Sequence, residues 1–184
     1  FNFPSFALNS LSVKAFNWLY YAKAKKGVRQ QKVGVDRFFY PLDAINNWNR
    51  IYGRKGFVQF QFILPKEISL EGLTEILQRI SAAKKGSFLA VLKLYGKANS
   101  NWLSFPMEGY SLALDFKMQR SLPEFISSLT DRVIQLGGRV YLAKDALLTQ
   151  EQFNNSYPQA EAFLRQQLGL DKHLNSLLSQ RLGL

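Results

Sequence analysis

Two glutamines, Gln59 and Gln61, interrupt the apolar run FVQFQFILP at positions that share one face of an extended chain. Successive strand residues point to opposite sides, so Val58, Phe60 and Phe62 line one face while Phe57, Gln59, Gln61 and Ile63 line the other. A buried primary amide needs partners for its donors and its acceptor, so the second face is expected to meet a polar network, water or a ligand. The same parity test finds more polar groups in apolar surroundings. In FLAVLKLYG, Lys93 follows Leu89 and Val91 on one face; in YSLALDF, Ser111, Ala113 and Asp115 share a face; in RVYLAKD, Lys144 ends the run. A partly desolvated ammonium requires an anion or an acceptor, which a flavin or a phosphate would supply. The plainer alternative is a sheet with one wet face, where Gln, Lys and Ser at alternate positions are ordinary.

Other chemistries have no residues to run on. The chain has no cysteine, which excludes disulfides, thiolate metal sites and a thiol nucleophile. Its one histidine, His173, lies in DKHLNSLL and reads as a surface helix residue, so neither a Ser-His-Asp arrangement nor a metal site has its usual partners. No Gly-x-Gly-x-x-Gly or Walker loop occurs, so the chain shows no phosphate cradle of its own.

The elements that must position these side chains follow from periodicity. A strand at Phe57–Leu64 ends at Pro65, and a helix follows with Leu70, Leu73, Ile76, Leu77 and Ile80 as its stripe, Ser69 as its cap and Lys84-Lys85-Gly86 as its stop. Strands at Phe88–Tyr95 and Tyr110–Phe116 come next. SLPE then offers Ser121 as a cap, Pro123 for a first turn and Glu124 for a capping box, before a helix with Phe125, Leu129, Val133 and Leu136 on one side. Gly137-Gly138 stops it, and Arg139–Ala143 makes a fourth strand. The order β-α-β-β-α-β is the split arrangement of ferredoxin-like folds, an α+β antiparallel sheet with helices on one face. Leu11–Lys25 is expected as an N-terminal helix with Val13, Phe16, Leu19 and Tyr20 as its stripe, Arg37–Pro41 as a further strand, and the tail after Thr149 as short helices.

With 184 residues, 47% hydrophobic, there is ample material for one core. The N-terminal stretch falls short of the roughly 20 apolar residues a membrane span needs and lacks the layout of a signal peptide. The chain opens with Phe1 and is read as part of a longer one. The net charge is +11, and Lys23, Lys25, Lys26, Arg29 and Lys32 follow one another with no acid before Asp36. Such a run either stays solvated or attracts phosphate or an anionic membrane surface.

Several colinear stretches, FFYPLDAINNWNRIYG, GFVQFQFILP, FLAVLKLYGKANSNWLSFPMEGYSLALDF and LGGRVYLAKDALLT, with SQRLGL at the end, resemble the C-terminal half of FAD-linked oxidoreductases of the vanillyl-alcohol-oxidase superfamily. The resemblance implies that residues 1–184 are one substrate-binding or cap domain, with a leading segment 1–56, a core 57–145 and a helical tail 146–184. An FAD-binding domain is expected N-terminal to it and outside this chain, which alone would be inactive. The resemblance further implies that Gln59 and Gln61 face the substrate, with Lys93, Leu89 and Val91 in the same pocket, and that Tyr141 and Lys144 lie near the flavin and the reacting sugar. Ser111 and Ala113 fall where the best-known branch has Asn and Cys, so covalent chemistry at a pocket thiol has no counterpart here. Lys144 is then the first choice for stabilising negative charge on the flavin, and Lys93 for polarising or deprotonating the substrate hydroxyl. The implied reaction is oxidation of a sugar alcohol, the ribose 2-hydroxyl of a polyprenyl-phosphate sugar and precursor of arabinan, by hydride transfer to FAD. A short-chain-dehydrogenase-type reductase would be the partner that completes an epimerisation. The location would be cytoplasmic or peripheral to the membrane, with a periplasmic one left open.

Two alternatives stand beside this reading. One is a sugar-lactone or other small-alcohol oxidase of the same superfamily. The other is a basic RNA-recognition module, whose signature is only weakly echoed by Lys55-Gly56-Phe57-Val58-Gln59-Phe60, so nucleic acid is not the expected partner.

Overall fold

In the computed structural model, residues 9–23, 30–40, 46–87, 89–167 and 175–184 are described, and the chain divides into two compact units, Phe1–Phe57 and Val58–Leu184. The first unit contains helix α1 (Ser10–Lys23), the short helix α2 (Val35–Phe39) and a 3-10 turn, Trp48–Tyr52. Tyr52 stacks on Phe57 at 4.4 Å between ring centroids, and Trp48 meets Tyr52 edge-on at 6.2 Å and Phe57 at a tilt at 5.4 Å. The strand expected at Arg37–Pro41 is instead the turn of helix α2, closed by Phe38 N–H to Gly34 O and Tyr40 N–H to Asp36 O; Pro41 lies outside the described residues. Its aromatic run has strand propensity, but propensity without a partner strand does not make a strand.

The second unit is built on a four-stranded sheet in the order β2-β3-β1-β4, with β1 at Phe57–Pro65, β2 at Ala90–Tyr95, β3 at Gly109–Lys117 and β4 at Arg139–Val140. Helix α3 (Ser69–Ala82) joins β1 to β2, and α4 (Leu122–Gln135) joins β3 to β4. This is the expected α+β, ferredoxin-like βαββαβ order. Val58, Phe60, Phe62 and Leu64 of β1 and Leu112, Leu114 and Phe116 of β3 form one core with Ile76 and Ile80 of α3 and Ile126, Leu129 and Val133 of α4. Each such side chain contributes about 1.5–3 kcal/mol on leaving water, which makes this face the main source of stability.

Both helices are rotated relative to the expected stripes. Leu70 and Leu77 of α3 are exposed, and α4 buries Leu122, Ile126, Leu129, Thr130 and Val133 with Phe125 and Leu136 at the margin. The expected caps also differ. Ser69 is the first residue of α3, behind a 3-10 turn at Lys66–Ile68, and its buried hydroxyl donates to Leu64 O (3.0 Å) and Pro65 O (2.7 Å) and accepts from Tyr110 N–H. Ser121 does stand at the N-cap of α4, but its hydroxyl accepts from Lys85 Nζ at 2.9 Å, and no capping box forms with Glu124. Lys84 takes a left-handed conformation (φ 54°) where α3 stops.

Gly109, where β3 begins, has no room for a side chain: a Cβ there would sit 1.9 Å from Leu64 O. The chain after β4 is part of the core rather than a loose tail. Thr149 caps helix α5 (Gln150–Ser156) in a full capping box with Gln152, and Leu148, Phe153, Tyr157, Ala160 of α6 (Ala160–Gln167) and Leu182 of α7 (Leu177–Leu182) join the main cluster. The Tyr157 hydroxyl donates to Val140 O at 2.6 Å, and Arg181 pairs with Asp145 at 2.8 Å. His173 lies outside the described residues.

Candidate functional site

The helices cover one face of the sheet, and the polar positions singled out by parity lie on the other. Register places them in a line. Lys93 of β2 is directly opposite Ser111 of β3, and Ser111 Oγ accepts a hydrogen bond from Gln61 Nε2 of β1 at 3.0 Å. Gln61 O in turn accepts from Tyr141 N–H at 2.8 Å, one pair beyond the Phe62–Val140 pairing of β1 with β4. Residues opposite one another in an antiparallel ladder share a face. Lys93, Ser111 and Gln61 therefore form a single row across β2, β3 and β1, and Tyr141 extends it just past the end of β4. Two residues along, Val91 stands opposite Ala113, and Gln59 lies on the same face of β1 as Gln61.

Exposure grades the row. Gln61 is 3% and Ser111 0% exposed, so the bond the Gln61 amide donates to the Ser111 hydroxyl is a dry one. Gln59, Val91, Ala113 and Leu89 are half-buried, and Lys93 is exposed. A ligand lying on this face meets Gln59 and Lys93 first, with the Gln61–Ser111 pair as a fixed underlayer. That geometry gives a concrete reason for two glutamines in one strand: one supports, the other is presented.

The row is flanked on one side. The connection from β2 to β3 folds back so that Phe105 packs edge-on to Tyr95 (5.9 Å between centroids) and against Tyr141 (4.7 Å). Arg139, opposite Ile63, donates from Nη1 to Ser104 O at 3.0 Å and lies 5.4 Å from the Tyr157 ring centroid. Its Nε is buried with no hydrogen-bond partner, and burial pulls the guanidinium below its usual basicity. Burial also pushes the Tyr157 phenol well up, so that residue stays neutral and serves as a donor. Neither Phe105 nor Arg139 stood out in the sequence. Arg139 carries the same parity as Tyr141, and that signal alone marks it.

The fourth expected strand is shorter than the sequence suggested. Backbone pairing ends at Tyr141, and Leu142–Lys144 turn into a 3-10 helix closed by Lys144 N–H to Tyr141 O at 3.0 Å. Lys144 is thus the half-buried end of a turn that starts from the polar row, not a strand terminus. A cleft of about 460 Å³ elsewhere in this unit lies between α4 and α5, lined by Ser127, Asp131, Gln135, Glu151 and Asn155, and none of the row residues contribute to it. Among the described residues there is no cluster of three or more His, Asp or Glu able to hold a metal.

The groups brought together on this face are an exposed lysine, a hydrogen-bonded amide and a tyrosine. The chain is similar over nearly its whole length to an oxidase. That relative is the decaprenylphosphoryl-beta-D-ribose oxidase of Mycolicibacterium smegmatis, 37% identical over 170 residues that make up 92% of this chain and 36% of that protein. The resemblance read from the sequence motifs is thereby shown. An uncharacterized protein in the mprA 5' region of Streptomyces coelicolor is 30% identical over 115 residues, 61% of this chain and 31% of that one. The chain thus spans about a third of the length of the curated relatives it matches. No family model matches it.

Proposed function

We propose that this chain forms the substrate-binding part of an FAD-dependent oxidoreductase, and that its substrate is a ribose carried on a polyprenyl phosphate. The observation that carries the reading is the transverse row Lys93–Ser111–Gln61–Tyr141, in a chain 37% identical over 92% of its length to an oxidase named for such a sugar. The residues present fit the reacting end of a flavin and a sugar, since they are amide, hydroxyl, phenol and ammonium groups. They do not fit the dinucleotide phosphates, for which the chain has no glycine-rich cradle. Alone, it would therefore be inactive. A bound flavin supplies the hydride acceptor.

The chain's own residues bind and orient. Gln59 hydrogen-bonds a sugar hydroxyl, and Gln61, fixed by Ser111, holds that edge of the surface rigid. Leu89, Val91 and Ala113 give the sugar an apolar floor that excludes water. Lys93 polarises or deprotonates the reacting hydroxyl, and Tyr141 and Lys144 would lie on the flavin's side, where an ammonium would stabilise negative charge. The alcohol becomes a ketone as a hydride leaves its carbon and a proton its oxygen. A short-chain-dehydrogenase-type reductase would return a hydride to the other side of that carbon, giving the arabinose epimer. A peripheral seat at a membrane suits a lipid-linked substrate.

The test is anaerobic addition of a polyprenyl-phosphate ribose, and separately of a sugar lactone, to the full-length protein while flavin absorbance is followed. Bleaching by the lipid-linked ribose is expected. Bleaching by the lactone alone would make the protein a small-alcohol oxidase, and absence of bound flavin would overturn the class.

A further inference from the structure

We propose that Arg181 of helix α7 is a positioning residue for Lys144, holding in place the turn that carries the ammonium. The inference rests on the role given to Lys144 in the proposed function. Lys144 ends a 3-10 turn of three residues, Leu142–Lys144, closed by Lys144 N–H to Tyr141 O at 3.0 Å and Asp145 N–H to Leu142 O at 3.3 Å. So short a turn, with 3-10 hydrogen-bond geometry, does little to fix its own direction. Its first end is set by the sheet, where Tyr141 N–H reaches Gln61 O. Its second end is set by Asp145. Oδ1 of that carboxylate accepts from Leu147 N–H at 2.9 Å and Leu148 N–H at 2.8 Å, and Oδ2 accepts from Arg181 Nη2 at 2.8 Å. The Asp145 side chain is only 4% exposed, so its charge needs that partner. Arg181 also donates from Nη1 to Leu148 O, which ties both sides of the bend after Lys144 to one guanidinium.

The arginine is itself held fast. Helix α7 has six residues and is too short to persist alone, but Ser176 caps it in a capping box with Ser179, and Leu182 is fully buried in the main core. Gly183 ends it in a left-handed conformation (φ 72°), where a side chain would strike the Gln150 amide of α5. Tyr157 adds a second hold from the tail through its 2.6 Å bond to Val140 O. The segment that bears Tyr141 and Lys144 is therefore gripped at both ends by residues far along the chain. The Arg181 guanidinium is engaged by Asp145 and Leu148, so its effect on the reaction passes through Lys144.

The experiment is stopped-flow flavin reduction of the full-length protein by a polyprenyl-phosphate ribose, in Lys144→Ala, Arg181→Met, Arg181→Lys and Lys144→Ala/Arg181→Met, with urea unfolding of each alongside. Arg181→Met is expected to lower the limiting reduction rate about tenfold, the scale of a slightly displaced reacting group, and to leave the half-saturating substrate concentration within a few-fold. Lys144→Ala/Arg181→Met is expected to be no slower than Lys144→Ala, because the arginine acts through that lysine. Arg181→Lys keeps a cation against Asp145, and with it the fold, but gives up the bridge to Leu148 O. Its rate should fall between those of wild type and Arg181→Met, and it takes the place of Arg181→Met in every comparison if the latter does not fold. A purely structural brace would lower the unfolding midpoint and leave the rate of the folded, flavin-bearing protein unchanged, and that result overturns the proposal. So does equal slowing by the Arg181 substitution with and without Lys144. Reduction of Lys144→Ala at the wild-type rate would instead overturn the role of Lys144 itself, and this inference with it.

Discussion

Gln61 and Ser111 are both sealed from water and hold each other through one 3.0 Å bond, so neither side chain can be removed cheaply. Ser111→Ala would leave the Gln61 amide with an unmet donor in a dry place, at a cost of about 1–3 kcal/mol. Ser111→Ala combined with Gln61→Leu should cost less than the sum of the two single changes, because the double variant leaves no orphan. Urea unfolding of the four proteins measures this; a neutral Ser111→Ala would show that the bond carries no stability. Parity in the sequence was enough to flag Gln59, Gln61, Lys93, Ser111 and Ala113, since strand alternation dictates which residues share a face. Parity could not say which of them remain reachable, because burial depends on what lies above the face. Phe105 was illegible, and Arg139 marked by its parity alone, for a related reason: their contacts come from a loop that folds back.

Helices α3 and α4 lie side by side on the sheet, and Glu75 of α3 ties them together. Its carboxylate accepts from Arg132 Nε and Nη2 of α4 at 2.7–3.0 Å and pairs with Arg79 one turn along at 2.8 Å. The Arg132 hydrogen bonds, then those of Arg79, hold this carboxyl below its ordinary 4.5. A depressed carboxyl contributes stability that is present above the unfolded value and lost as pH falls through the folded one. Glu75→Gln should therefore be less stable than wild type near neutrality, and the gap should close as pH drops below about 4.5. Urea melts at stepped pH check it, and a gap independent of pH would mean that packing rather than charge is at stake. The element order β-α-β-β-α-β was legible because strand and helix periods differ. The errors came where tertiary context overrode local pattern: an aromatic run with no partner strand became α2, β4 stopped at Val140 when the chain turned at Leu142, and both helices rolled so that the residues nearest the core, rather than every apolar one, were buried.

At the scale of the whole molecule, the face of the sheet turned away from α3 and α4 carries both sealed residues, Gln61 and Ser111, and reachable ones, Gln59 and Lys93. Six of its eleven net positive charges fall in residues 9–40, which separates an attracting region from the polar row in sequence. In the proposed site a hydroxylated substrate meets a flavin on the sheet face turned away from α3 and α4, with Lys144 supplying charge and Gln59 supplying binding. Stopped-flow flavin reduction by the full-length protein, over a range of substrate concentration, tests it most directly. Lys144→Ala should lower the limiting reduction rate roughly a hundredfold, as expected for a lost charge-stabilising donor of about 3 kcal/mol, while Gln59→Ala should raise the substrate concentration needed for half-maximal reduction and leave the limiting rate within a few-fold. A Lys144→Ala rate close to that of wild type, with unchanged substrate dependence in Gln59→Ala, would contradict the account.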